Sequence, residues 1–331
     1  MIDRYDRQIK SAAFGQEAQH KLSTSTFLII GAGALGSTIC EMLARSGAAH
    51  LVVCDMDVVS MSNLHRQSLY DEADCKSYRL KVDALSYHIQ RINRNVKVTT
   101  ISEEINQHNI KHIIEQYKPI MLIDGTDNFL TRYIINDACN IYNLPWVYGA
   151  CLNTSGTVYG IEGSPCLRCI LPEEPTTGQD CSLSGILPQT AHIAASLQIA
   201  EIMHYIKYGH FTGKLTTFDC NKMNFKSVNI DALCNTSCPT CARKLYPTLT
   251  QTLSVITKMC HGKYQTSIDS HLFHAINKHI VHQNEHFKLL SYKNHRIHLL
   301  SNGRIIIFDV TSKDEAMNMI TSLIKDTTKK A

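Results

Sequence analysis

Over the first 150 residues, short continuous apolar runs alternate with stretches whose apolar positions return every three or four residues. FLII at 27–30 is too short for a helix and is followed by GAGALG, after which STICEMLARSG shows the helical repeat and ends at Gly47. An apolar run bounded by glycine reads as a buried strand, and the 3.6-residue repeat closed by glycine reads as a helix. The same order recurs downstream. LVVCD at 51–55 reads as a strand, YRLKVDALSYHIQRIN as a helix, VKVTTI as a strand and NIKHIIEQY as a helix. IMLIDGTDN is a strand running into a polar loop, followed by a helix over about 129–142 and the strand WVYGAC. Strands alternating with helices predict a mostly parallel sheet with helices on both faces.

From about residue 150 the pattern changes. TVYGIEG and KLTTFDCNKMNFKSVNI read as antiparallel strands, separated by a loop over 164–188 and the helix AHIAASLQIAEIMHYIKYG. A loop of that length usually carries function. Beyond CPTCARK, the strands HFKLLSYKN, HRIHLLSN and RIIIFDV and the amphipathic helix KDEAMNMITSLIK suggest a small α+β tail domain. The predicted domains are therefore 1–245, with an α/β half at 1–150 and an antiparallel half at 151–245, and a tail domain at 246–331.

Composition narrows the function classes. The 331 residues are 44% hydrophobic, enough for a sizeable core. The charged opening MIDRYDRQIK has no signal-peptide character, and no stretch approaches the roughly 18 apolar residues that span a bilayer. A soluble, cytoplasmic chain without membrane association is expected. The net charge of +4 is dispersed, so charge provides no reason to expect nucleic acid. Thirteen cysteines without an export signal point to reduced thiols and metal rather than a disulfide framework.

Gly31, Gly33 and Gly36 form G-x-G-x-x-G between a strand and a helix. In that context the loop amides approach a phosphate at the helix N-terminus, and the fold class becomes a Rossmann-like α/β sheet. Asp55, at the end of the second strand, is placed for ribose hydroxyls. Those features alone describe an NAD(P)-dependent oxidoreductase. Asp57, Asn63, Arg66 and Gln67 then follow on one loop, Lys81 opens the next helix, and DGTDN sets Asp124 and Asp127 at another strand end. Two cations and an added carboxylate suit a triphosphate and magnesium, and hydride transfer requires neither.

RYDRQI at 4–9, GAGALG at 31–36, DMDVVSMSNLHRQ at 55–67, LKVDA around Lys81, DGTDN at 124–128 and two C-x-x-C pairs together resemble the MoeB/ThiF/HesA adenylyltransferases, bacterial relatives of ubiquitin-activating enzymes. The likeness covers about residues 1–245. It implies ATP-dependent adenylation of the C-terminal glycine of a ubiquitin-like sulfur carrier ending in Gly-Gly, with pyrophosphate released, by a homodimer. The carrier is MoaD-like or ThiS-like, for molybdopterin or thiamine biosynthesis. In the family's pattern Asp55 binds ribose, Asn63, Arg66 and Lys81 bind phosphates, Asp127 holds magnesium, and Arg7 enters the partner subunit's site, with Asp57 and Gln67 completing the cofactor-binding set.

CLRC and CPTC supply Cys166, Cys169, Cys238 and Cys241, an all-cysteine set for structural zinc. A redox disulfide or unrelated buried thiols are the alternatives, and two pairs of equal spacing suit zinc better. Cys234, four residues before the second pair, is a possible substitute ligand. Cys181 resembles the crossover-loop cysteine that bonds to the carrier during sulfur transfer in ThiF-type members; an incidental loop cysteine is the equal alternative. Cys40, Cys54, Cys139, Cys151 and Cys220 fall in apolar patterns and read as core. LPQTAHIAASLQ departs from relatives that carry more glycines here. The tail does not resemble a rhodanese domain, so sulfur is expected from a separate donor enzyme.

Overall fold

Strand β1 (Thr26–Ile30) lies inside an eight-stranded sheet of order β3-β2-β1-β4-β5-β6-β7-β8. The computed structural model describes residues 4–172, 185–250, 257–259, 263–285, 287–301 and 303–328. They fall into two compact units, dividing after residue 251.

In the first unit, β2 (His50–Cys54), β3 (Lys97–Ile101), β4 (Met121–Asp124) and β5 (Trp146–Leu152) join β1 in parallel register, with Leu28 opposite Val52 on one side and Leu122 on the other. Phe27, Leu28, Ile29, Val52, Val53, Leu122 and Ile123 are fully buried, as expected of strands covered on both faces. The α-helices are α1 (Asp6–Ile9), α2 (Gly15–Leu22), α3 (Ala34–Ser46), α4 (Glu72–Lys76), α5 (Lys81–Ile92), α6 (Ile110–Tyr117), α7 (Phe129–Tyr142), the single turn α8 (Leu167–Ile170), α9 (Pro188–Tyr208) and the single turn α10 (Pro247–Thr250). On the sheet, α3 packs with α5 and α9, while α6 packs with α7. The chain winds outward from β1 to β3, then returns to set β4 on β1's other side. That reversal makes the carboxyl ends of β1 and β4 a crevice for ligand.

Past β5 the sheet turns antiparallel through β6 (Ser155–Ile161), β7 (Lys214–Asp219) and β8 (Asn224–Asn229). Every residue of β8 is exposed. Predicted boundaries moved for local reasons. The helix anticipated from residue 78 starts at Lys81, because the capped α4 and a left-handed Tyr78 (φ 48°) occupy the chain before it. The helix anticipated from Ala191 starts at Pro188, where the ring's fixed φ suits a first helical position. Cys151 and Cys220 are partly exposed and so are not core residues, because both stand where strands run out into loops.

The second unit is a six-stranded antiparallel sheet of order β11-β12-β13-β14-β10-β9, from β9 (Thr257–Met259), β10 (Lys263–Ser267), β11 (Ile280–Gln283), β12 (Phe287–Tyr292), β13 (His295–Leu300) and β14 (Arg304–Ile307). Its core joins Leu290, Ile297, Leu299, Ile305 and Ile307 to Ala316, Ile320 and Leu323 of the helix Lys313–Thr328. Lys288 is buried here, and its Nζ donates to the Phe273 and Ile276 carbonyls and to Asn277 Oδ1, closing the short helix His271–Ala275. Among the described residues no helix is long and apolar enough to cross a membrane.

Candidate active site

Three glycines after β1 do different work. At Gly31 φ is +95°, and an added Cβ would stand 2.4 Å from the Gly125 carbonyl. At Gly36 it would stand 1.8 Å from the Gly31 carbonyl, so α3 seats directly against the loop. At Gly33, the residue before α3, the nearest atom to such a Cβ is Gln67 Nε2 at 3.8 Å. Two of the glycines are therefore demanded by packing, and the third borders open space at the positive end of a 13-residue helix.

Asp55 follows β2 and is held from both sides. Its Oδ2 accepts from the Ala32 amide at 2.7 Å and its Oδ1 from the Asp57 amide at 2.7 Å. Burial and the neighbouring Asp57 raise its pKa, against the pull of Lys81 and the two amides. Asp57 in turn fixes the cation that opens α5, with Lys81 Nζ 3.0 Å from Asp57 Oδ2. Burial alone would favour neutral Lys81, but Asp57, Asp55 and Asp127 outweigh it and hold the ammonium charged well above its ordinary range. The charge therefore persists in a buried position.

The segment from Ser60 to Tyr70 coils over this pair. Ser60 Oγ donates to Asn63 Oδ1, and Arg66 Nη1 donates to the Ser62 carbonyl at 3.0 Å. Burial lowers the Arg66 pKa while the Asp127 carboxylate opposes that shift, which brings the arginine and the DGTDN loop within electrostatic reach. Gln67 is buried, and its Oε1 has no partner among the described residues. A buried amide oxygen left so costs about 1–3 kcal/mol, which a ligand or water donor can recover.

At the end of β4, Asp124 is fully buried and committed to protein, accepting from Arg132 Nε at 3.0 Å and from the Thr126 amide and hydroxyl. Arg132 also donates to the Thr126 and Gly149 carbonyls, tying the loop to β5. Asp127 is exposed and accepts no hydrogen bond from a described residue. Among Asp55, Asp57, Asp124 and Asp127 it alone is uncommitted. It is therefore the carboxylate free to take a divalent cation.

Gly31, Gly33, Gly36, Asp55, Asp57, Asn63, Arg66, Gln67, Lys81 and Asp127 thus lie along the carboxyl ends of β1, β2 and β4. Arg7 does not join them. It is exposed on α1, without a partner among the described residues, and α1 docks where Gln8 donates to the Ser46 carbonyl beside Gly47. That is the far end of α3, about 20 Å along the helix from the glycine loop. Cys181 lies outside the described residues. Three residues went unread in the sequence. Arg132 braces the DGTDN loop. Tyr70 donates from its buried hydroxyl to the Ala32 carbonyl, and Gln198 of α9 donates to the Asp124 carbonyl. For Arg132 the available signal was an arginine eight positions after a strand-end aspartate; for Tyr70 and Gln198 the apolar pattern gave none.

The second site joins Cys166, Cys169, Cys238 and Cys241, whose four sulfurs all lie within 4.8 Å of one another. Cys166 and Cys238 are 3.6 Å apart, and Cys169 and Cys241 3.4 Å. A tetrahedral zinc with bonds of about 2.3 Å needs sulfurs about 3.8 Å apart, so the four fit. Burial and the adjoining thiols push Cys166 up strongly, and burial first among several causes takes Cys169 up to about 11, so at these two a dication is what would make thiolates. Cys234 is exposed and outside the four. Supports come from α7. Asn136 donates to Cys166 Sγ and accepts from the Leu167 amide, Asp137 accepts from Thr240 Oγ1 and the Thr248 amide, and Asn140 accepts from Lys244.

Comparison with known proteins agrees with this architecture. The family model described as "ThiF family" matches residues 5–240. The chain is 34% identical to the sulfur carrier protein ThiS adenylyltransferase of Bacillus subtilis over 75% of this chain and 74% of that protein. It is 32% identical to the adenylyltransferase and sulfurtransferase MOCS3 of Dictyostelium discoideum over 98% of this chain and 79% of that one. For the Culex quinquefasciatus MOCS3, at 34% identity over 82% of this chain, the match spans 61% of the relative's length. Among solved structures, Escherichia coli MccB with ATP matches at TM-score 0.60 and 20% identity, covering 72% of this chain and 75% of that one, which establishes the shared fold. On the family match over residues 5–240 and the relatives above 30% identity, the chain belongs to the ThiF family.

Proposed function

We propose that this chain is an adenylyltransferase that uses ATP to adenylate the C-terminal glycine carboxylate of a ubiquitin-like sulfur carrier, MoaD-like or ThiS-like, in the cytoplasm. The observation that carries this reading is a buried Lys81 paired with Asp57 at 3.0 Å, an Arg66 within the field of an uncommitted Asp127, and a Gly33 cradle, in a chain of the ThiF family. A nicotinamide oxidoreductase accounts for Gly31, Gly33, Gly36 and Asp55 and leaves those charges without work.

In this reading Asp55 receives the ribose hydroxyls, and the amides around Gly33 with Gln67 receive phosphate. Asn63, Arg66 and Lys81 carry the charge that develops as pyrophosphate leaves the α-phosphorus. Asp127 holds magnesium, which supplies further neutralisation when bound. The carrier carboxylate is anionic near neutral pH, so no protein base is required, and catalysis is alignment and charge neutralisation. Arg7 serves the partner's site in a homodimer. What supports this is its docking at the far end of α3, beyond reach of its own glycine loop. Zinc holds the C-x-x-C pairs together as a structural ion. A separate enzyme donates sulfur, and Cys181 is the thiol through which transfer to the carrier runs.

ATP–pyrophosphate exchange tests the reading. Exchange is expected only with a carrier bearing a free C-terminal Gly-Gly, and Arg66→Ala should cut it about 100- to 1,000-fold, equivalent to about 2.7–4 kcal/mol. Full exchange in that variant, or none with any Gly-Gly carrier, overturns it.

A further inference from the structure

A fifth cysteine stands beside the four. Cys234 is exposed, and its Sγ is 3.0 Å from Ser164 Oγ. Cys234 leads into the second knuckle through a turn in which the Cys238 amide donates to the Asn235 carbonyl at 3.0 Å, with Cys241 three residues on, and the same Ser164 hydroxyl stands close enough to act on the Cys241 thiol. Two thiols flanking one hydroxyl are separated by on the order of 6–7 Å. Residues 231–237, which carry Cys234, are all exposed, and the neighbouring Asn235 is tied to the knuckle by its carbonyl, which accepts from the Cys238 amide. The segment is therefore anchored to the cluster on one side and open to solvent on the other.

We propose that Cys234 is a redox-modification site that controls the metal-binding cysteines, forming a disulfide with Cys241 when a peroxide reaches it. The inference rests on the four cysteines binding zinc and is independent of the adenylation reading. Access selects Cys234. Cys166 and Cys238 are buried and Cys169 and Cys241 half-buried, whereas Cys234 is exposed and meets a dissolved oxidant first.

The chemistry balances in two steps. The Cys234 sulfur attacks hydrogen peroxide, the O–O bond breaks, and the thiol becomes a sulfenic acid while one water forms. The Cys241 thiolate then attacks that sulfur, the S–O bond breaks, and hydroxide leaves to take up a proton as the second water. Two thiols and one peroxide give one disulfide and two waters, with each sulfur oxidised by one electron. The bond requires sulfurs about 2.05 Å apart, so the exposed 231–237 segment closes the few ångströms that Ser164 now fills. Cys241 can no longer bind as a thiolate, and the metal is left with three ligands and dissociates.

The test uses the full chain, first assayed for zinc, then treated with hydrogen peroxide while a chromophoric chelator reports released zinc and alkylation with mass spectrometry maps disulfides. The expected result is a Cys234–Cys241 disulfide formed in step with zinc release, both reversed by dithiothreitol with added zinc. Cys234→Ser should start with the same zinc content and release it about tenfold more slowly or less, while Cys181→Ser should release it like the parent. Should Cys234→Ser fail to fold, alkylating Cys234 alone in the folded parent provides the same comparison. Equal release without Cys234, or disulfides confined to the other four cysteines or to Cys181, overturns the proposal. A parent chain that binds no zinc refutes the metal reading instead, and disulfide mapping still decides whether Cys234 and Cys241 pair.

Discussion

Before its first turn α7 is flanked by Asp127, exposed and bonded to no described residue, whereas its second half directs Asn136, Asp137 and Asn140 into the cysteine knuckles, where each is bonded. Both regions carry charge and both depend on this one helix. They differ in who satisfies the charge. Around the knuckles, protein groups meet protein groups. Asp137 is fully buried, yet it is covered by Thr240, Thr248 and Arg168, whose Nε lies 3.4 Å away. Around the crevice Lys81 and Arg132 are held by carboxylates, but Asp127, Gln67 Oε1 and the space before Gly33 are left over. A region built for stability closes on itself, and one built for a ligand keeps unmatched groups. Such groups cost stability and are tolerated where binding returns it.

The difference between the two regions should show most strongly at Asp137. Asp137→Ala strands Arg168, which is only 12% exposed, beside a vacated carboxylate site, and loss of a buried partner costs about 3–5 kcal/mol. Denaturant unfolding should show that loss and zinc affinity should fall, while exchange activity per folded, zinc-loaded molecule stays near the parent's. A fall in that specific activity with stability intact would erase the distinction between the two regions.

The glycines sharpen it within one loop. Gly36→Ala drives a methyl to 1.8 Å from the Gly31 carbonyl and should destabilise the fold by about 1–3 kcal/mol or more through overpacking. Gly33→Ala meets nothing nearer than 3.8 Å, so the fold should keep its stability while ATP binding weakens about tenfold or more, because the methyl takes phosphate space. Calorimetric unfolding and ATP titration on both variants read this. Equal effects of the two on both measurements would contradict the assignment.

The smallest effect lies outside both regions. Asp71 caps α4 by accepting from the Asp74 amide at 3.0 Å, and Asp71→Ala should cost about 1 kcal/mol. That amide bond, the leading cause, holds the Asp71 pKa below its ordinary value. A depressed carboxylate contributes above its unfolded pKa and loses the contribution as pH falls through the folded one. The difference from the parent should therefore be present at neutral pH and shrink below about pH 4, with exchange activity unchanged.

The parallel half was legible because its strands are buried on both faces and its helices on one. The two apolar periods switch cleanly at Gly31, Gly47 and the DGTDN loop, and helix 129–142 was read to its ends. Candidate ligand residues were legible as charges at strand ends. Their roles toward one another were not. Asp57 was read only as a member of a cofactor set, whereas its carboxylate fixes Lys81 across 24 positions, and Arg132 was not singled out although it pairs with buried Asp124. Such pairings are tertiary, and no period in a single chain reports them. The small turns α4 and α8 were missed because four or five residues are too few to show a repeat.

Titration calorimetry of the chain with ATP and magnesium, set beside NAD, decides which nucleotide the crevice holds. The predicted result is ATP binding that weakens in Gly33→Ala and in Arg66→Ala, with no measurable heat from NAD. NAD binding in preference to ATP, unaffected by Arg66→Ala, would contradict it and return the crevice to a nicotinamide cofactor.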